Sequence, residues 1–226
     1  MFGWIAYDTA DMPPVQAIEG VRFRVLRVAE GRSLRAALSA HRAANILRRE
    51  DVRLALFPPD YPYIPLFARR GIQPPSLVPL YRAAAPAIVR RYLAEQGIDP
   101  CAAMVAFAAR RVTPELKRCV ATLCREIRYI ALCADGGEAL ARALRRDYGV
   151  AARFGAPDAL PPPDLTVVFD GLRVPGKALY LGDGLEVAFD SPYPAALLAL
   201  LHGVGALDAG KLRVTSVDTR ENAPPD

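Results

Sequence analysis

The sequence predicts an α/β fold, a mostly parallel sheet with helices on both faces, plus a C-terminal β-hairpin and helix. Three observations lead there. The continuous apolar run Ala102–Ala108 and the mostly apolar stretches Tyr129–Cys133 and Leu165–Phe169 suit strands buried on both faces. Amphipathic stretches with helical spacing lie between them. Strands that alternate with helices pair in parallel through crossover connections. The 226 residues are 52% hydrophobic and 23% charged, which is the composition of a folded globular chain.

In the first half, Val21–Val28 alternates apolar and basic residues over most of its length, the period of a strand with one wet face. Ser33 is placed to cap a helix running to Glu50 through a stretch rich in Ala, Leu and Arg. Val52–Phe57 reads as a second strand, ended by the stiff loop Pro58-Pro59-Asp60-Tyr61-Pro62. A short helix is expected over Tyr63–Arg70 and a longer one over Leu77–Gln96, closed by Gly97. Pro86 lies inside the longer helix and should kink or split it.

In the second half, Thr113-Pro114-Glu115 combines an N-cap, a proline at the first helical position and an acid in the first turn. Leu116, Val120, Leu123 and Ile127 then recur at helical spacing. Asp135 and Glu138 form a relaxed capping-box pattern for a helix that Gly149 closes. Val150–Phe154 is a short strand and Pro161-Pro162-Pro163 a surface linker. Ala178–Leu181 and Leu185–Phe189 flank Gly182-Asp183-Gly184 and read as a hairpin. A helix from Ser191 to Leu201 and a last strand at Leu212–Thr215 follow. The expected organisation is a basic α/β segment over 1–100, a second segment over 101–218 and a frayed tail over 219–226.

The succession from residue 102 to 169 resembles one half of a Rossmann domain in its layout, over about 70 residues. A Rossmann dinucleotide site needs glycines after the first strand, so that the backbone can approach the pyrophosphate. Here that place holds Ala108-Ala109-Arg110-Arg111-Val112-Thr113-Pro114, with no glycine. The side chains would fill the pyrophosphate volume, and Pro114 removes one helix N–H that could bind phosphate. No motif calls for a cofactor, although NAD(P) stays open as a ligand of an altered site.

In open α/β sheets, ligands bind beyond the carboxyl ends of the strands, where Arg110, Arg111, Asp135 and Asp170 all fall. These four would border a pocket. Arg110 and Arg111 could hold an anion, or be solvated loop arginines. Asp135 could hold a ribose hydroxyl, or cap its helix, and Glu138 favours the cap. Tyr61 and Tyr63, aromatic residues on a rigid loop, are either exposed contact anchors or packed beneath that loop.

The net charge of +5 is carried almost wholly by arginine, 26 Arg against 3 Lys, a bias that fits a GC-rich genome. The excess falls in residues 1–100, and residues 101–226 are balanced. Arg22 and Arg24 share one strand face, and Arg32, Arg35, Arg42, Arg48 and Arg49 follow on the next helix. They could contact phosphates, but the modest charge and the absence of a binding motif make nucleic acid an unfavoured partner. Cys101, Cys119, Cys124 and Cys133 are spaced by 18, 5 and 9, which matches no zinc or redox motif, so no metal is expected. They are expected to sit at or in buried strands and on one helix. His41 and His202 lie in no recognisable catalytic motif and read as structural. No apolar run spans a bilayer and the N-terminus has no basic n-region, so a cytoplasmic protein with reduced thiols is expected.

Without an acid–base or nucleophile constellation, the first expectation is a non-catalytic binding or assembly protein, with a protein partner or a second copy as its counterpart. The alternatives are an enzyme or sensor taking a nucleotide or anionic metabolite in an altered Rossmann mode, and a basic nucleic-acid adaptor. A strand-end pocket with unpaired Arg110 and Asp135 would favour the ligand-binding alternative.

Overall fold

The computed structural model describes residues 1–156, 159, 161–182 and 184–219. It divides into two compact units, Met1–Ser76 with Ala196–Leu207, and Leu77–Ala195 with the stretch from Asp208 on.

The first unit has a four-stranded sheet in the order β2-β3-β1-β4, made of β1 (Phe2–Tyr7), β2 (Val15–Ile18), β3 (Val21–Val28) and β4 (Ala55–Leu56). β1 lies parallel to β3 and β4, and β2 runs antiparallel to β3. The β2–β3 turn is Glu19-Gly20, both at positive φ (49° and 76°), which gives the twist a two-residue hairpin needs. The strand expected over 52–57 shortens to β4, and Leu54 bridges to Gln73 beside it.

Helix α1 (Leu34–Arg49) starts as expected, with Ser33 Oγ accepting from the Ala36 amide at 3.2 Å. Its buried face is Ala36, Ala40, Ala43, Ala44 and Leu47. Such small residues let the helix sit close to the sheet, and Gly3 completes the approach. A Cβ on Gly3 would lie 2.8 Å from Leu47 Cδ1 and 2.9 Å from Ala55 Cβ. α2 (Ile64–Ala68) follows the proline loop. The last helix, α7 (Ala195–Gly203), joins this unit from Ala196 on.

Tyr61 is 3% exposed and packs with Tyr7, Phe57, Tyr63 and Phe67 at centroid distances of 5.6–6.2 Å. The exposed-anchor reading of Tyr61 therefore gives way to packing beneath its own loop, because the ring's apolar area is withdrawn from water. Burial pushes its hydroxyl pKa up. Tyr63 is half-buried and its hydroxyl donates to Ser33 O at 3.4 Å.

The second unit begins with α3 (Val78–Ala83) and α4 (Ala85–Glu95), the expected long helix split at Ala84, with Pro79 and Pro86 each near the start of one piece. Tyr81, Ile88, Val89, Tyr92 and Leu93 of these helices share a core with the strands that follow. The division therefore falls at Ser76/Leu77, ahead of the expected 100/101 boundary. After them come β5 (Met104–Arg111), α5 (Pro114–Leu123), β6 (Tyr129–Asp135), α6 (Gly137–Tyr148), β7 (Ala152–Phe154), β8 (Leu165–Val168) and β9 (Ala178–Tyr180).

These five strands form one parallel sheet in the order β7-β6-β5-β8-β9. Counted along the unit, that is 3-2-1-4-5, the strand order of a Rossmann sheet. Val105, Phe107, Ile130, Leu132, Leu165 and Val167 point into the core shared with α3–α6. On the opposite face Ala106, Ala108, Ala131, Cys133 and Val168 pack with Tyr180 and the loop residues Leu172 and Val174.

A C-terminal antiparallel pair is present, but its strands are β10 (Glu186–Phe189) and β11 (Val214–Asp218). Residues 178–181 do not pair with 185–189. β9 instead adds to the parallel edge beside β8, where Leu179 and Tyr180 are both buried, one on each face of the sheet. Of the expected turn Gly182-Asp183-Gly184, Asp183 lies outside the described residues, as do 220–226 of the expected tail.

A bidentate ion pair joins α4 to the end of α5, with Arg90 Nε and Nη2 each donating to Glu126 at 2.7 Å. The guanidinium holds the Glu126 carboxyl below its usual pKa of 4.5. A depressed native pKa contributes stability above the unfolded value that is lost as pH falls through the native one. Glu126→Gln should therefore destabilise by about 0.2–1 kcal/mol at neutral pH, as for exposed pairs. The gap between variant and parent urea midpoints should begin to narrow as pH falls toward about 4.3 and vanish below the lowered native value.

Cys119, Cys124 and Cys133 are buried, and burial raises all three thiol pKa values, while Cys101 is exposed rather than part of a buried strand. A thiol-reactive dye should titrate Cys101 quickly in the native protein and all four thiols only after unfolding.

Candidate functional site

Arg110, Arg111, Asp135 and Asp170 come together at the carboxyl ends of three adjacent strands, β6, β5 and β8. β5 extends to Arg111 beyond the expected end at Ala108, so Arg110 and Arg111 are strand residues rather than loop residues. An irregularity between Ala108 and Arg111 brings Arg111 into register with Asp135, and the Val112 amide donates to Asp135 O at 2.9 Å. Asp170 follows β8, and its Oδ2 accepts from the Arg110 amide. Its other oxygen, Oδ1, is buried with no hydrogen-bond partner. A carboxylate thus occupies the crevice between β5 and β8, where the strand order reverses and a Rossmann domain places its pyrophosphate.

The N-terminus of α5 is consumed as well. Pro114 has no N–H, the Glu115 carboxylate turns back toward its own amide, and Thr113 Oγ1 accepts from the Leu116 amide at 3.3 Å. Those bonds hold the Glu115 carboxyl below its ordinary pKa, so it is ionised at neutral pH. With no N–H on Pro114 and the Leu116 amide bonded to Thr113, this end of the helix has fewer donors free for an anion.

The second strand-to-helix turn differs. Asp135 is the last residue of β6, and the cap position belongs to Gly136, in the left-handed region (φ +82°) with no side-chain hydrogen bond. The Asp135–Glu138 capping box is therefore not formed. The strand continues through Asp135, one residue too far for its side chain to cap. Glu138 instead faces Arg142 at 3.9 Å. Outside this turn lies an open cavity of about 610 Å³ whose walls include Asp135, Gly136, Glu138, Arg142 and Phe154.

Among the described residues the Asp135 side chain makes no ion pair, and neither do those of Arg110 and Arg111. Arg110, Arg111 and Asp170 are not in the cavity wall. Sequence reasoning placed Asp135 at this site but missed Gly136-Gly137. Two consecutive glycines directly after a buried strand were the available signal.

The remaining candidates disperse. Arg22 is exposed, Arg24 faces Glu50 at 3.5 Å, and Arg27 donates to Met12 O at 2.9 Å. His41 Nδ1 lies 2.9 Å from Arg70 Nη2. Guanidinium can only donate, so Nδ1 is the acceptor in this contact. His202 Nδ1 lies 3.3 Å from Leu207 O. Among the described residues no three His, Cys, Asp or Glu side chains are grouped as metal ligands, and no helix is long and apolar enough to cross a membrane.

The sequence matches no protein-family model and no curated protein. Among solved structures the chain is similar to shikimate 5-dehydrogenase from Listeria monocytogenes, solved in complex with shikimate and NAD. The identity is 9% and the TM-score 0.31, over 76% of this chain and 68% of that one.

Proposed function

We propose that this chain is a non-catalytic binding protein whose Rossmann-like unit does not take a dinucleotide in the Rossmann manner. The observation that carries this reading is the closed β5–β8 crevice. Asp170 accepts the Arg110 amide there, and Thr113, Pro114 and Glu115 occupy the end of α5.

A second reading rests on the cavity outside β6. A nucleotide or anionic metabolite bound there would meet the uncapped start of α6 and Arg142, with Asp135 available for a hydroxyl. A thermal-shift titration with NAD(H), NADP(H), ATP, GTP and S-adenosylmethionine tests both. The first reading predicts no shift that depends on Arg110 and Arg111 or on Asp135 and Arg142. A ligand present at 100 times its dissociation constant adds about 2.7 kcal/mol, roughly 5–10 °C for a chain of this size. A shift of that size abolished by Asp135→Asn with Arg142→Gln, but kept by Arg110→Ala with Arg111→Ala, would replace the first reading with the second.

A further inference from the structure

We infer that the N-terminal unit carries an anion site of its own, where the C-terminal ends of α1 and α2 meet the approach to β4. Its ligand is a small phosphate-bearing anion with more than one negative charge. The site is a cavity of about 430 Å³, and four of its seven lining residues are Arg48, Arg53, Arg69 and Arg70. The only acid in the wall is Asp51, which already pairs with Arg53 at 2.7 Å. Among the described residues the side chains of Arg48 and Arg69 have no hydrogen bond or ion pair.

A magnitude argues that these are more than solvated arginines at helix ends. Each helix C-terminus offers at most about half a negative charge, so two offer about one. With Asp51 this compensates two of the four guanidiniums and leaves roughly two positive charges unanswered.

The site is also built in advance. Arg70 is fixed by three bonds, Nε to Asn45 Oδ1 at 3.0 Å, Nη1 to Leu66 O at 3.2 Å and Nη2 to His41 Nδ1 at 2.9 Å. Gly71 (φ +77°) leaves room for Arg53, whose Nη1 would lie 3.2 Å from any Cβ there. A fixed guanidinium loses little freedom on binding, and two of its five N–H donors remain for an anion. The small volume favours a diphosphate-sized group over a polymer backbone.

The test is calorimetric titration with inorganic pyrophosphate in low-salt buffer. Expected is saturable binding with a dissociation constant below about 1 mM. Arg48→Gln with Arg69→Gln should weaken it by about tenfold or more. Arg22→Gln with Arg42→Gln, which removes the same charge outside the cavity, should leave it within about twofold. These positions are all exposed, so unfolding midpoints should confirm that both variants fold. Three outcomes each overturn the site: no saturable heat up to about 10 mM, equal weakening in both variants, or binding of a single-stranded oligonucleotide that pyrophosphate fails to displace.

Discussion

Replacing Phe107 with alanine is expected to lower the unfolding free energy by about 3–5 kcal/mol in urea denaturation. Phe107 is 0% exposed at the middle of β5, in register with Leu132 on β6 and Val167 on β8. Its ring faces the core shared with α3–α6, and removal leaves a void that strands held on both sides cannot close. A loss of that size is a large part of the 5–15 kcal/mol typical of a folded protein. Phe154→Ala is the control. That ring is 50% exposed at the end of the edge strand β7, and its removal should change stability by about 0.5 kcal/mol or less.

The second large effect is expected at Leu47, 0% exposed on the buried face of α1. Leu47→Ala should cost about 2–5 kcal/mol. Gly3→Ala should also destabilise, by about 1–3 kcal/mol, because its methyl would intrude on Leu47 and on Ala55. The two changes should not add. With Leu47 truncated, its share of the clash disappears while that with Ala55 Cβ remains, so the double variant should lose less than the sum. Additive losses would mean that α1 does not rest on β1 through this contact.

Much of the second unit was readable because it is locally consistent. The buried runs around Phe107, Leu132 and Val167 became parallel strands, and Thr113-Pro114-Glu115 opened a helix. Pro86 broke its helix as its missing N–H requires. What escaped depended on partners distant in sequence. β1 carries Gly3 and Ala6 between its large residues, and its strand character comes from pairing with β3 and β4. β2 is four residues long, joined through Glu19-Gly20 rather than a stronger turn pair. Gly182 and Gly184 suggested a local hairpin, but β9 buries apolar residues on both faces and goes to the parallel edge.

The strand-end rule gathered Arg110, Arg111, Asp135 and Asp170 from sequence alone, since βαβ order fixes where carboxyl ends lie. Their roles were not legible. Whether Asp170 meets the Arg110 amide, and whether Asp135 ends a strand or caps a helix, is decided by register and by one glycine at positive φ. The surplus of arginine at the α1 and α2 ends was hidden by arginine's abundance throughout the chain.

The closed crevice is tested most directly by following backbone amide resonances of the isotopically labelled protein while NADH is added to millimolar concentration. The amides of Arg110 and Leu116, each bonded within the protein, and that of Glu115, facing its own carboxylate, are expected to stay in place throughout. Saturable shifts centred on these three amides would mean that a dinucleotide displaces Asp170 and the α5 cap, and would contradict the closed crevice.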